Sequence, residues 1–229
     1  MQFRDWEPVY RQILGDFGYS RAADERARDL LGTTVTRFDR SLLADVAGAD
    51  VAVAGAGPSL SAGVEEARAA DAVVAASSAA ERLRRAGVDV DVMVTDLDKT
   101  PETAQELTEA GTPVVVHAHG DNVEQLQHHV GGLNADYVVP TTQASPSGPV
   151  RNFGGFTDGD RAAFLADAFG AAELTFVGWD FDDPTLDDEK DRKLRWAARL
   201  LRWLERRRGE EFAALDGRRR LVDVPESAR

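Results

Sequence analysis

The stretch Val51-Ala52-Val53-Ala54-Gly55-Ala56-Gly57-Pro58-Ser59-Leu60 decides the fold. Four small apolar residues without a polar break make a strand buried on both faces. A glycine turn follows, and the spacing then predicts a helix over 61–70. The same alternation repeats downstream. Strands are expected at 72–76, 90–95, 113–117, 137–139 and 174–177. Helices are expected up to 86, and at 101–110, 123–130 and 159–169. Continuous apolar strands separated by helices specify an α/β fold, a mostly parallel Rossmann-like sheet with helices on both faces.

Outward from this core, residues 1–47 read as a helical extension. Phe3, Trp6, Tyr10, Ile13, Leu14 and Phe17 give its first helix an apolar face, broken at Gly15 and Gly18. A second helix is expected at 21–31, ended by Gly32, and a short third at 37–47. None carries a chemical constellation, so all three read as packing. The α/β domain spans 48–183. Residues 184–229 supply a long Arg-rich helix at 186–209 and a tail packed on the same domain. Asp216-Gly217 between short apolar runs predicts a terminal hairpin. Residues 141–155, rich in Gly, Pro, Ser and Thr, read as a lid or binding loop.

Composition narrows the chemistry. The 229 residues carry 40 Asp and Glu against 27 Lys and Arg, a formal net charge of −13, and no cysteine. Disulfides, thiolate metal sites and cysteine nucleophiles are excluded. The acidic field repels phosphates and argues against nucleic-acid partners. With only three lysines, the composition suits a salt-rich cytoplasm, where carboxylate repulsion is screened within a few ångströms. No apolar run approaches the roughly 20 residues of a membrane span. The first residues, Met1 to Glu7, lack the apolar core of a signal peptide, so a cytoplasmic location is expected. An anionic substrate must therefore meet a local positive element or a metal ion.

Ligands of open α/β sheets bind at the carboxyl ends of the strands. Polar residues gather there. Gly55 and Gly57 allow a tight turn and close backbone approach, and Ser59, Leu60 and Ser61 are the N–H donors available to an anion. Asp96 and Asp98, at i and i+2 past the third strand, repel unless a cation joins them, and Mg²⁺ takes such oxygen ligands. In His117-Ala118-His119-Gly120-Asp121-Asn122 a zinc site lacks a third ligand. A phosphate-contacting or acid–base role suits one histidine better, with Asp121 as a third carboxylate near the metal. Asp158 opens the helix that follows Gly154-Gly155-Phe156-Thr157, where it is either a cap or part of the site. Arg161 is placed to contact a phosphate. Lys193 and Arg192 are weaker candidates for that role.

Two resemblances follow from these residues. Residues 73–100, ending in Thr95-Asp96-Leu97-Asp98-Lys99, look like the core of thiamine pyrophosphokinases, with Ser77 where that family has its first acid. Residues 50–182 more closely resemble the archaeal 6-hydroxymethyl-7,8-dihydropterin pyrophosphokinases. The marks are Gly55-Ala56-Gly57-Pro58-Ser59-Leu60, Thr95-Asp96-Leu97-Asp98, His117-Ala118-His119-Gly120-Asp121-Asn122, Gly154-Gly155-Phe156-Thr157-Asp158-Gly159-Asp160-Arg161 and Gly178-Trp179-Asp180-Phe181, in that order. The chain departs from the pattern at Lys99, where glycine is usual. The same core is also similar to a domain of bacterial flagellin-modification proteins, some of which act as sugar transferases and are much longer.

The closer resemblance implies pyrophosphoryl transfer from ATP, with Mg²⁺, to the hydroxymethyl oxygen of a reduced pterin. It implies metal ligation by Asp96, Asp98 and Asp121, and His119 or Asp158 as the base. Nucleotide contacts would come from Gly55, Gly57, Ser59, Leu60, Asn122 and Arg161. Pterin contacts would come from Asn152, Phe153 or Phe156, Asp158 and Asp180. A thiamine-type enzyme and a nucleotide-binding module without turnover are the alternatives, and a homo-oligomer is left open.

Overall fold

The computed structural model describes residues 1–225. Six strands, β1 (Asp50–Ala54), β2 (Ala72–Ala76), β3 (Val92–Thr95), β4 (Val114–Ala118), β5 (Val138–Thr142) and β6 (Glu173–Val177), form one sheet in the order β5-β4-β3-β2-β1-β6. Every pairing is parallel, from Ala52 beside Val73 to Ala52 beside Thr175. Buried strands explain the unbroken Val and Ala runs, since both faces are covered. Val51, Val53, Val74 and Val94 face one layer; Ala52, Ala54, Val73 and Ala75 face the other.

The crossovers place the site. From β1 the chain steps one strand at a time to β5 through α3 (Val64–Ala69), α4 (Ser78–Arg85), α5 (Pro101–Glu109) and α6 (Val123–His129). These four helices pack on the Ala52 face through Ala67, Leu83, Leu107 and Leu126. The chain then returns along the opposite face through α7 (Asp158–Phe169), and β6 pairs with β1. The direction of winding thus reverses between β1 and β6, where open α/β sheets leave a crevice. The helix α1 (Phe3–Phe17) lies on the α7 face with α8 (Asp188–Arg208), and α2 (Arg21–Thr34) lies on the other.

Five expectations are corrected. The second helix runs through Gly32 to Thr34, because Gly32 does not take the left-handed backbone that would stop it. The third is a 3-10 segment, Arg40–Val46, kinked at Leu43. The helix expected at 61–70 begins as a 3-10 turn at Pro58–Ser61 and restarts at Val64. Gly63 packs there against Val177, where a Cβ would sit 2.9 Å from that side chain.

The proposed lid over 141–155 is instead part of the scaffold. β5 continues to Thr142, and Pro140 is tolerated because β5 is the sheet edge. Arg151 donates to the Pro140 carbonyl and accepts from Thr142, so the returning loop covers that edge. Gln143, Ala144, Val150 and Asn152 are buried.

The expected tail hairpin is absent among the described residues. Instead a 3-10 turn at Ala213–Leu215 is pinned to α8. The pin is buried Glu205, which accepts from the Phe212 N–H at 2.7 Å and from Arg219 at 3.1 Å.

Candidate functional site

A cavity of about 430 Å³ opens at the carboxyl ends of the strands, within the size range of small-ligand sites. Its acidic centre begins with the turn after β3. The Thr95 hydroxyl accepts from the Leu97 N–H at 2.9 Å, and Asp96 Oδ1 accepts from the Asp98 N–H at 3.2 Å. Leu97 takes φ +65°, unusual for a leucine, and its side chain is buried as an anchor. The flanking carboxylates of Asp96 and Asp98 thereby face the cavity together.

The third carboxylate comes from the far side of the sheet. At the start of α7, Asp160 rather than Asp158 secures the helix end. It accepts from the Thr157 and Phe156 N–H groups and from the Thr157 hydroxyl. Asp158 is freed from capping. Gly159 lets α7 approach the Trp179 indole, which a Cβ would meet at 3.0 Å. One carboxylate oxygen each from Asp96, Asp98 and Asp158 lies within 4.8 Å of the others.

The electrostatics record that crowding. Burial and the Asp96 charge push Asp158 up to about 8, against which Arg161 acts from 2.9 Å. Burial and Asp96 push Asp98 up to about 6. Burial also raises Asp96, but hydrogen bonds from His119 and Asp98 outweigh it and hold Asp96 well below the usual carboxylate range. Three crowded carboxylates, two of them with raised proton affinity, are the donor set a hard divalent cation would satisfy.

The expected third metal ligand, Asp121, lines the cavity but stays outside this oxygen cluster, because its turn points it to solvent. His119 does not fit the expected base. Its Nδ1 lies 3.3 Å from the Asp121 N–H, which makes that nitrogen the acceptor. Nε2, 3.3 Å from Asp96 Oδ2, then carries the proton and donates. His119 orients Asp96. His117 is buried with Nδ1 on the Thr141 hydroxyl at 3.1 Å, and burial drives its pKa well below the ordinary histidine value.

The expected nucleotide turn is already satisfied from within. Gly55 and Gly57 donate to the carbonyls of Val177 and Gly178 at 2.8 and 2.9 Å. Leu60 donates to Gly57, while the Ser59 N–H and hydroxyl both donate to Asp180, at 2.9 and 2.8 Å. Asp180, which also lines the cavity, thus braces the turn.

Asn122 is likewise consumed. Its amide donates to the Asp96 and His117 carbonyls, and its oxygen accepts from the His119 N–H. Asn152, expected at the pterin edge, is buried and donates to the Gln143 and Ala144 carbonyls. Phe153 packs on Phe38 and Phe169. Phe156 does line the cavity, with its ring against Phe17 and Tyr19. Arg161 lines it too, with its guanidinium engaged by Asp158 and Gln143.

Several cavity residues were missed in the sequence. Trp179 lines the wall and donates its indole N–H to the Val53 carbonyl at 3.0 Å. Tyr19, Lys99 and Lys190 line it as well. Behind the wall, buried Asp24 of α2 accepts from the Tyr10 hydroxyl at 2.6 Å, the Gln143 amide at 2.9 Å and the Gly120 N–H at 2.7 Å. Gln143 in turn meets Arg161, so α1 and α2 brace both the His119 turn and the Asp158 partner. A signal existed: Asp24 falls at helical spacing on the buried stripe with Ala27 and Leu31.

Residues 28–185 match the model of a family described as 6-hydroxymethylpterin diphosphokinase MptE-like. The chain belongs to this family. Among its relatives is the 6-hydroxymethyl-7,8-dihydropterin pyrophosphokinase of Methanothermobacter thermautotrophicus, 40% identical over 225 residues, covering 90% of this chain and 96% of the relative. The protein of that name from Pyrococcus furiosus is 37% identical over 90% of this chain and 95% of its own length. That from Methanocaldococcus jannaschii is 30% identical over 93% of this chain and 99% of its own. The matched region runs from within α2 to the segment after β6, so it includes every cavity carboxylate described above. Among the described residues no helix is long and apolar enough to cross a membrane.

Proposed function

We propose that this protein transfers the pyrophosphoryl group of ATP to the hydroxymethyl oxygen of 6-hydroxymethyl-7,8-dihydropterin, releasing AMP. The observation that carries this reading is the convergence of Asp96, Asp98 and Asp158 in one cavity at the strand ends. The curated relatives, each named as a pterin pyrophosphokinase, supply the acceptor.

The donor set fits Mg²⁺: three carboxylates, all hard oxygen ligands, from two separate turns. When bound, the ion supplies charge neutralisation on the phosphate oxygens. The chain's own residues do the rest. Asp96 is oriented by His119, and Asp98 by the buried Leu97 turn. Asp158 is held by Arg161, whose position Gln143 fixes. This rigidity matters because phosphoryl transfer depends on in-line positioning more than on covalent help from the protein. The β-phosphorus accepts the pterin oxygen, its bond to the α-phosphate oxygen breaks, and the hydroxyl proton leaves to an adjacent carboxylate or water. Trp179, Phe156 and Tyr19 offer aromatic surface for a flat heterocycle.

The test is an AMP-release assay with ATP, Mg²⁺ and 6-hydroxymethyl-7,8-dihydropterin at high KCl. Pterin-dependent AMP is the expected result. AMP formed only with thiamine, or ATP binding without any AMP, overturns the reading.

A further inference from the structure

All three lysines of the chain, Lys99, Lys190 and Lys193, line the cavity that contains Asp96, Asp98 and Asp158. The other cations of this chain, 27 Lys and Arg in all, are arginines. Lys193 is held by Glu189 at 2.7 Å. Among the described residues, Lys99 and Lys190 have no carboxylate within ion-pair distance.

The placement of Lys190 runs against its local surroundings. It stands in the first turn of α8, where a cation opposes the helix dipole. Asp187, Asp188, Glu189 and Asp191 surround it in sequence, yet it pairs with none of them. It reaches into the cavity, where Lys99, Asp158 and Asp98 act on it. Lys99 and Lys190 are both exposed along the cavity lining, where their ammonium groups are open to an anion entering from solvent.

Ser77 adds a third group. It joins β2 to α4, one strand over from the glycine turn. Its backbone sits at φ +48° and ψ −122°, which a residue with a Cβ adopts only under constraint. The residue is 8% exposed and lines the cavity, and its hydroxyl has no hydrogen-bond partner. It does not cap α4. By contrast, the N–H groups of the glycine turn at Gly55, Gly57, Ser59 and Leu60 are all spent within the protein.

We propose that Lys99, Lys190 and Ser77 form the seat of a polyphosphate chain, facing the carboxylates so that a cation-bound polyphosphate lies between opposite charges. The identity of the anion as the triphosphate of a nucleotide rests on the function proposed above. The seat itself is tested without it.

The probe is inorganic tripolyphosphate with Mg²⁺, titrated calorimetrically into the full chain. Lys99→Met/Lys190→Met should weaken tripolyphosphate binding about tenfold or more, while Mg²⁺ alone binds at least as well as before. Lys190→Arg should keep affinity within about threefold, since the charge is retained. Ser77→Gly should separate stability from binding: glycine accepts the φ, so the melting temperature rises, while tripolyphosphate affinity falls. Unchanged tripolyphosphate affinity in the double lysine variant overturns the seat. So does a Ser77→Gly variant that binds the probe as well as the parent protein. Lysine-dependent binding of tripolyphosphate without AMP release from ATP and pterin would leave the seat standing and remove the activity.

Discussion

The turns after β1 and β3 both leave the sheet at the carboxyl ends of their strands and are opposite in what their polar atoms do. After β1, the donors at Gly55, Gly57, Ser59 and Leu60 all find partners inside the protein, and Arg82 takes the carbonyls of Ala56 and Gly57. A Cβ on Gly55 would meet the Gly178 carbonyl at 2.6 Å, so the glycine there serves the approach of β1 to the β6 exit. After β3, the carboxylates of Asp96 and Asp98 crowd each other and Asp158 at the cost of raised pKa values. A turn whose donors are mostly spent on its neighbours is held by them. A turn left in conflict has a missing partner.

The comparison breaks first if the acidic turn is dispensable. Asp98→Asn and Asp158→Asn should each lower turnover by about a thousandfold, the loss expected when a cation ligand is removed. Asp121→Asn should stay within about fivefold, since Asp121 is exposed and outside the cluster. Steady-state AMP release measures all three. A loss at Asp121 as deep as that at Asp158 would restore the ligand set expected from the sequence.

The next effect comes from behind the site. Asp24→Ala strands the Tyr10 hydroxyl, the Gln143 amide and the Gly120 N–H, which should cost about 2–4 kcal/mol of stability. Activity should fall as well, because Gln143 and the His119 turn lose their common support. Denaturant unfolding and AMP release on the same preparation check both. Loss of stability with full turnover would show that α2 only packs.

What could be read in advance follows from the physics of each signal. The sheet was legible because strands buried on both faces must be continuous apolar runs, as Val51 to Ala54 and Ala72 to Ala76 are. Asp96, Asp98, Asp121 and Asp180 were legible as residues because they stand just past β3, β4 and β6, and Asp158 because it follows the Gly154-Gly155 turn at the head of a helix. Their partners were not. Whether Ser59 faces a ligand or Asp180 depends on the β1–β6 pairing, which joins residues 121 apart. Asp158 looked like a cap because its competitor Asp160 is only two residues on, and the choice between them is made by Thr157 and Phe156. The N-terminal helices looked inert because Asp24 is one acid among many in an acidic chain.

A smaller effect sharpens the account of the glycine turn. Ser59→Ala removes one hydrogen bond to Asp180 and should cost about 1 kcal/mol of stability. The KM for ATP should change by less than about threefold, because the hydroxyl faces Asp180. A tenfold rise in that KM with unchanged stability would return the phosphate to the glycine turn.

The smallest expected effect concerns the ion-free protein, and its sign is opposite to that of an ordinary site mutation. Asp98 and Asp158 have folded pKa values of about 6 and about 8, above the ordinary value of 3.8. The folded state therefore holds more protons than the unfolded state between roughly pH 4 and pH 8, and stability falls as pH rises through that window. Asp96, held low, contributes stability that is lost only in stronger acid. In EDTA the melting temperature should thus be higher near pH 6 than near pH 8. Asp98→Asn removes one repelling charge, and at pH 8 in EDTA it should gain about 1 kcal/mol, discounted for the water that reaches this side chain. That is a rise of about 2–4 °C for a chain of this size. Added Mg²⁺ should erase the difference or reverse it, because only the parent protein retains all three ligands. A lower melting temperature for Asp98→Asn in EDTA would mean that the turn after β3 is satisfied like the turn after β1.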